Sequence, residues 1–107
     1  MSRFDDVLQR LSATIAARRG ADPGQSYTAQ LLQDPARAAK KFGEEAVEAV
    51  IAAALKDPDA LAAESADLIY HWLVVLAAAG VSLDDVAARL EAREGRSGLE
   101  EKAGRKG

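Results

Sequence analysis

Four acidic residues occupy two short motifs whose spacing could bring their carboxylates together. The first motif places Glu45 one helical turn before Glu48, and the second places Glu64 one turn before Asp67. A turn predicted at Lys56 lies midway: Glu48 and Glu64 are each eight residues from it, and the outer acids are each eleven residues from it. On two antiparallel helices, these pairs would face each other about 12 Å and about 16 Å from the turn. Because Mg²⁺ prefers oxygen ligands, the pattern predicts a magnesium site.

The charge surroundings of these acids favour a metal site over a solvated helix surface. Glu48, Glu64 and Asp67 have no lysine or arginine three or four residues away on either side. Like charges one turn apart destabilise an isolated helix by about 0.2–0.5 kcal/mol per pair, and burying an uncompensated carboxylate costs more. Apolar residues flank the cluster on both helices, so partial burial is expected. A hard divalent cation would remove this repulsion.

Residues just before the first acidic motif could activate water or bind phosphate. Glu44 is the first candidate for a general base, because it lies beside the paired acids without belonging to either pair. Glu45 is the rival candidate, and the sequence does not separate the two. Lys40 and Lys41 lie one turn before these acids and could bind phosphates as point charges. The alternative for both lysines is plain ion pairing with the acids.

Two further places could contribute to substrate binding. His71 is the only histidine, and it lies one turn after Asp67. It could contact phosphate, hold the metal ligand Asp67 in position, or simply be a hydrogen-bonded polar residue of the core. Ser26, Tyr27 and Thr28 open a short predicted helix whose free N–H groups could receive a phosphate, although Ser26 could equally serve only as its N-cap.

Helix signals run along nearly the whole chain and predict the elements that position these residues. Asp34-Pro35 and Asp57-Pro58 each combine an N-cap with a proline at the first helical position, and Gly80 is a natural end for the second of these helices. Ser82 and Asp85 have the spacing of a capping box. The predicted helices cover about residues 3–19, 26–32, 35–55, 58–79 and 82–94.

This pattern predicts an all-α fold, an antiparallel bundle of four main helices in one domain of residues 1–95. The charged, glycine-rich residues 96–107 are predicted to be a disordered tail. Alanine is abundant and aromatic residues make up only 5% of the chain, so each helix buries little area by itself. We therefore expect a homodimer or a larger homo-oligomer to complete the core.

Composition narrows the class of protein further. The net charge of −3 argues against binding nucleic acid or an anionic membrane surface, both of which need basic patches. The chain has no cysteine, so disulfides and thiolate metal sites are excluded. The N-terminus lacks the apolar run of a signal peptide, and residues 72–81, the longest apolar stretch, are too few to span a bilayer. A cytoplasmic protein is expected.

Three strings in this sequence resemble a known family of enzymes. They are SYTAQLL at 26–32, KKFGEEAVE at 40–48 and ESADLIYH at 64–71. The paired acidic motifs are similar to those of the all-α, MazG-like nucleoside-triphosphate pyrophosphohydrolases, and the strings are similar to those of the phosphoribosyl-ATP pyrophosphatases within that superfamily. The resemblance covers about residues 4–94.

The resemblance implies hydrolysis of phosphoribosyl-ATP to phosphoribosyl-AMP and pyrophosphate, the second step of histidine biosynthesis, in a cytoplasmic homodimer or higher bundle. It implies Mg²⁺ as the cofactor, and the ligands it implies are Glu45, Glu48, Glu64 and Asp67.

Three other functions remain to be weighed. A house-cleaning pyrophosphatase of the same superfamily would share the metal site and differ in the base pocket, but the SYT string disfavours it. A ferritin-like di-iron bundle needs Glu-x-x-His motifs on two helices, and this chain has one histidine, preceded by Leu68 at that spacing. A non-enzymatic helical dimerisation module should alternate its acids with lysines, which the unpaired acidic cluster does not do.

Overall fold

The computed structural model describes residues 2–95, and this part of the chain contains five helices and no strand. The prediction of an all-α fold is thereby confirmed, with four longer helices and one short helix. The predicted disordered tail at 96–107 lies outside the described residues. The helices are α1 (Arg3–Ala17), α2 (Tyr27–Leu32), α3 (Pro35–Ala54), α4 (Pro58–Ala79) and α5 (Leu83–Glu91).

Each helix begins at a serine or aspartate whose side chain accepts a backbone N–H three residues later. This satisfies one of the N–H groups that has no partner within the helix. The predicted caps are confirmed, including proline at the start of α3 and α4 and the capping box of α5. The five caps are Ser2, Ser26, Asp34, Asp57 and Ser82.

Two helix ends fall earlier than predicted. Helix α1 ends at Ala17 instead of Arg19, and α5 ends at Glu91 instead of Glu94. In both places the next residues form hydrogen bonds to the carbonyl three residues back, such as Arg19 N to Ala16 O at 3.2 Å. Such tighter bonds are typical of a closing helical turn, and amphipathic periodicity alone does not reveal where they begin.

The turn between α3 and α4 is built around Lys56, the predicted midpoint of the two acidic motifs. Lys56 adopts a left-handed backbone conformation with φ of 57°. Its N–H bonds to Ala53 O, and the N–H of Asp57 bonds to Ala52 O. These two bonds form a Schellman motif, which usually carries glycine at this position because other residues pay about 1–2 kcal/mol there. The motif reverses the chain and lays α4 back along α3.

Helix α4 is the central helix of the bundle and packs against α1, α2 and α3. A core cluster of buried side chains joins these four elements, and its members are Ile15, Leu31, Ala38, Leu73 and Val74. The turn and this packing place the acidic motifs of α3 and α4 side by side, because α3 and α4 are the most extensively paired helices.

By length and composition alone, α4 is also apolar enough to cross a membrane. This is weak evidence, because the central helix of a helical bundle meets the same criteria. Here α4 carries Glu64 and Asp67, buries His71, and places Leu73 and Val74 in the core of the bundle. These contacts fit the central helix of a bundle.

The fully buried residues of helix α3 are all alanines, and most of its large apolar side chains are exposed. Its buried residues are Ala38, Ala49 and Ala52, all of which face the packed side of the helix. A stripe of larger apolar side chains on α3 and at its C-cap remains 48–74% exposed. We call these four residues the α3 stripe: Val47, Val50, Ile51 and Leu55.

Candidate metal and phosphate site

Three of the four predicted metal ligands meet between α3 and α4. Glu45, Glu64 and Asp67 each offer a carboxylate oxygen, and these oxygens lie within 4.8 Å of one another. Glu45 and Glu64 are half-buried, and Asp67 is exposed. Opposite oxygen ligands of one Mg²⁺ are separated by about 4.2 Å, so this spacing is close to that of a ligand set. The donor chemistry and the spacing therefore fit a hard divalent cation.

Glu48, the fourth predicted ligand, lies at the edge of this arrangement. Its side chain is exposed and does not join the group of three among the described residues. It is nevertheless close enough for its charge to act on Glu64. The structure is thus compatible with the sequence prediction that Glu48 on α3 faces Glu64 on α4.

The electrostatics of the cluster are those of uncompensated negative charge. Partial burial raises the pKa of Glu64, and the negative charges of Glu48, Asp67 and Glu45 raise it further. No basic side chain within residues 2–95 forms an ion pair with any of the three clustered carboxylates. Because like charges this close disfavour one another's ionisation, a cation bound between them would stabilise the folded chain.

We expect Glu64→Gln to stabilise the metal-free protein at neutral pH. The raised pKa means that folded Glu64 holds its proton more tightly than unfolded Glu64 does. The free energy of unfolding therefore falls as pH rises above the ordinary value of 4.5 towards the folded pKa. Melting temperatures of the metal-free wild type and the variant, measured between pH 4 and pH 8, should diverge as pH rises. Parallel curves would contradict this account.

Glu44 and Lys41 form an ion pair beside the cluster. Lys41 Nζ lies 3.3 Å from Glu44 Oε1, and the two side chains are 36% and 51% exposed. Such an exposed pair contributes little stability, so both groups stay available for other partners. They line a shallow groove of about 430 Å³ together with Glu45, Val47 and Glu48. Lys40, the other predicted phosphate ligand, is exposed on α3.

His71 is buried and connects the cluster to α2. Its Nδ1 lies 2.8 Å from the backbone oxygen of Asp67, and its Nε2 lies 3.2 Å from the hydroxyl of Tyr27. A carbonyl oxygen only accepts hydrogen bonds, so Nδ1 carries the hydrogen, and in the neutral ring Nε2 accepts from Tyr27. A second hydrogen bond, between the hydroxyls of Thr28 and Tyr70, fastens α2 to α4 nearby.

The first residues of α2 therefore have a structural role in addition to the substrate-binding role that the sequence predicts. Ser26 Oγ accepts the N–H of Ala29 at 3.1 Å, which is the capping role that the sequence allowed. Tyr27 and Thr28 point their hydroxyls at α4, as described above. Sequence reasoning missed these pairings, Tyr27 with His71 and Thr28 with Tyr70, because residues 44 and 42 positions apart in the chain give no local signal of contact.

Comparison with known proteins finds relatives over nearly the whole chain. The family model described as phosphoribosyl-ATP pyrophosphohydrolase matches residues 8–94. A protein of Caulobacter vibrioides named phosphoribosyl-ATP pyrophosphatase is 71% identical over 96% of both chains. Proteins of the same name from Caulobacter sp. strain K31 and Cereibacter sphaeroides strain KD131 are 68% and 59% identical, and the matches cover 98% and 92% of this chain and 98% and 97% of theirs.

The matched region contains all five helices of the fold apart from the first residues of α1, and it includes every acid of the cluster. The resemblance that the three strings carry is confirmed by these matches. The chain belongs to the phosphoribosyl-ATP pyrophosphohydrolase family.

Proposed function

We propose that this chain hydrolyses phosphoribosyl-ATP to phosphoribosyl-AMP and pyrophosphate, the second step of histidine biosynthesis. The observation that carries the proposal is the cluster of Glu45, Glu64 and Asp67 with no cation paired to it among the described residues. Membership of the family, and relatives that are 59%, 68% and 71% identical and bear the name of this activity, support it.

Mg²⁺ fits the chemistry of the cluster. Glu45, Glu64 and Asp67 would hold it, and Glu48 would complete the set from the edge. When bound there, the ion supplies charge neutralisation for the triphosphate and lowers the pKa of a coordinated water. In the metal-free chain, the pKa of Glu64 is raised because the residue is partly buried and lies close to the other acids.

The remaining residues of the groove would bind phosphates and accept a proton. Glu44, or alternatively Glu45, would accept the proton of the attacking water, since both carboxylates line the groove. Lys41, which lines the groove, and Lys40, which is exposed next to it on α3, would bind phosphate oxygens as point charges. Ser26, Tyr27, Thr28 and His71 would contribute to substrate binding from the α2 side.

We also propose that the chain works as a cytoplasmic homodimer or larger homo-oligomer, with neither nucleic acid nor membrane as a partner. The exposed α3 stripe supports this, because its four large apolar side chains, on α3 and at its C-cap, lose contact with water when a second copy covers them. Val47 belongs both to the stripe and to the groove beside the acids. An interface at the stripe would therefore adjoin the site.

The test is pyrophosphate release in the presence of Mg²⁺, with phosphoribosyl-ATP offered beside a panel of ordinary and modified nucleoside triphosphates. A strong preference for phosphoribosyl-ATP supports the proposal. Turnover of other triphosphates with phosphoribosyl-ATP ignored would instead indicate a house-cleaning pyrophosphatase. Absence of release from every substrate would favour a non-enzymatic dimerisation module, which Mg²⁺-independent thermal stability would corroborate.

We expect Tyr27→Phe to raise KM for phosphoribosyl-ATP several-fold. The change removes only the hydroxyl that bonds His71 Nε2, and one such hydrogen bond is worth about 0.5–1.5 kcal/mol. Steady-state kinetics and the melting temperature should be measured together, with Tyr70→Phe, which removes the hydroxyl that bonds Thr28 between the same two helices, as the matched variant. A lower melting temperature with unchanged KM would mean that Tyr27 acts in packing alone.

A further inference from the structure

Two residues of α2 hold the side chain of Arg37 in place. Arg37 lies on α3, on the same side of the helix as Glu45 of the acidic cluster. Its guanidinium carbon lies 5.8 Å from the centroid of the Tyr27 ring. Its Nη1 donates a hydrogen bond of 3.2 Å to Gln30 Oε1. The orientation of the Gln30 amide is itself determined, because its Nε2 donates to Pro23 O at 2.8 Å. Arg37 is thus a positioned cation, although it lies on the surface.

The stability of α3 does not explain this cation. Arg37 is the third residue of the helix, where the helix dipole disfavours positive charge. Asp34 caps the helix by accepting the backbone N–H of Arg37. Within residues 2–95, no carboxylate forms an ion pair with the guanidinium. Gln30 occupies one of five N–H donors, so the others remain available to a ligand.

The position of Arg37 relates it to the acidic cluster in two ways. Arg37, Lys41 and Glu45 follow one another at intervals of four residues along one side of α3, which separates the first from the last by about 12 Å. The Tyr27 ring beneath Arg37 also contacts His71, with ring centroids 6.1 Å apart. His71 in turn contacts the backbone of Asp67. Arg37 therefore lies about two helical turns from the acids on the same side of α3, beyond the residues that line the groove.

The substrate has two anionic ends. Phosphoribosyl-ATP carries a triphosphate on one ribose and a single phosphate on a second ribose, which is attached to the adenine. The adenine and two riboses separate these ends by a distance comparable to that between Arg37 and the cluster. Resting on the proposed function, we propose that Arg37 binds the phosphate of the phosphoribosyl group and thereby distinguishes phosphoribosyl-ATP from ATP. The planar guanidinium fork suits a terminal phosphate better than a point charge does.

The test compares ligands that carry one end or the other. Arg37→Gln is assayed for KM with phosphoribosyl-ATP, and for inhibition by phosphoribosyl-AMP and by pyrophosphate. We expect KM and the inhibition constant of phosphoribosyl-AMP to rise about 10- to 100-fold, the effect of losing a charged hydrogen bond. The inhibition constant of pyrophosphate, which carries only the metal-bound end, should stay unchanged. Arg10→Gln, an exposed arginine of α1, is the matched control.

Two results would overturn the proposal. Equal weakening of phosphoribosyl-AMP and pyrophosphate would place Arg37 at the triphosphate or in the general structure, and no change in either would deny it a role. If Arg37→Gln lowers the melting temperature, Arg37→Lys is tested instead, because lysine keeps the charge without the planar fork. Weaker inhibition by phosphoribosyl-AMP alone then supports the proposal, and equally weaker inhibition by phosphoribosyl-AMP and pyrophosphate overturns it. Failure of the wild type to hydrolyse phosphoribosyl-ATP would instead contradict the proposed function, and it would be seen before any variant is made.

Discussion

Glu45→Gln is expected to lower kcat/KM for phosphoribosyl-ATP by at least about 1,000-fold while leaving the helices intact. Glu45 is half-buried beside Glu64 and Asp67, and its carboxylate belongs to the only three-residue acidic group found in residues 2–95. Removing one ligand charge loses several kcal/mol of transition-state stabilisation, and each 1.4 kcal/mol is a factor of ten in rate. Pyrophosphate release and far-UV circular dichroism, measured over a Mg²⁺ titration, provide the check.

Glu44→Gln is the matched control, because Glu44 is the adjacent glutamate on the same helix and lies outside the group of three. If Glu44 is the general base, its variant loses kcat while its Mg²⁺ requirement and melting temperature stay the same. If Glu45 is the base, Glu44→Gln keeps most of its activity. Near-normal activity of Glu45→Gln would rule out the proposed metal site.

The second large effect is expected from Val50→Glu: if the proposed homo-oligomer forms through the α3 stripe, this variant should be monomeric and at least tenfold less active. Val50 is 66% exposed at the centre of the α3 stripe, so the substitution costs the isolated chain little. In an assembly that covers the stripe, the same substitution buries an unpaired carboxylate from each copy, at a cost of several kcal/mol. Analytical ultracentrifugation and kinetics at matched concentrations would detect both effects.

Leu90→Glu is the control for that variant. Leu90 lies on a different helix, α5, and is 58% exposed, so it presents a similar apolar side chain to water. This variant should leave the oligomeric state unchanged. A Val50→Glu variant that assembles normally would place the subunit interface elsewhere. A wild-type protein that is monomeric at micromolar concentration would show that there is no such interface.

Local sequence signals account well for the elements of this fold. The caps at Ser26, Asp34, Asp57 and Ser82 are where the sequence places them, because a serine or aspartate beside an uncapped N–H group acts within a few residues. Helix ends are less well predicted. The closing turns after Ala17 and Glu91 depend on small differences between hydrogen bonds to the third and fourth residue back.

In the candidate site, too, some contacts follow from local sequence signals and others do not. Counting from Lys56 is enough to bring Glu45, Glu64 and Asp67 together, since two paired helices of equal rise keep their register over eleven residues. The contact of Tyr27 with His71 has no such rule behind it. It depends on how the loop before α2 returns to α4, which packing of the core decides.

By itself, the sequence determined the helices, the turn that pairs them, the acidic cluster and the family, because each depends on local chemistry or on a fixed helical rise. The tertiary structure decided which side chains share a surface. It placed Arg37 on the ring of Tyr27 and buried His71 behind Asp67. It also packed the alanines of α3 against α4, leaving the large residues of the α3 stripe exposed. These outcomes depend on contacts between residues distant in the chain, and no local pattern encodes them.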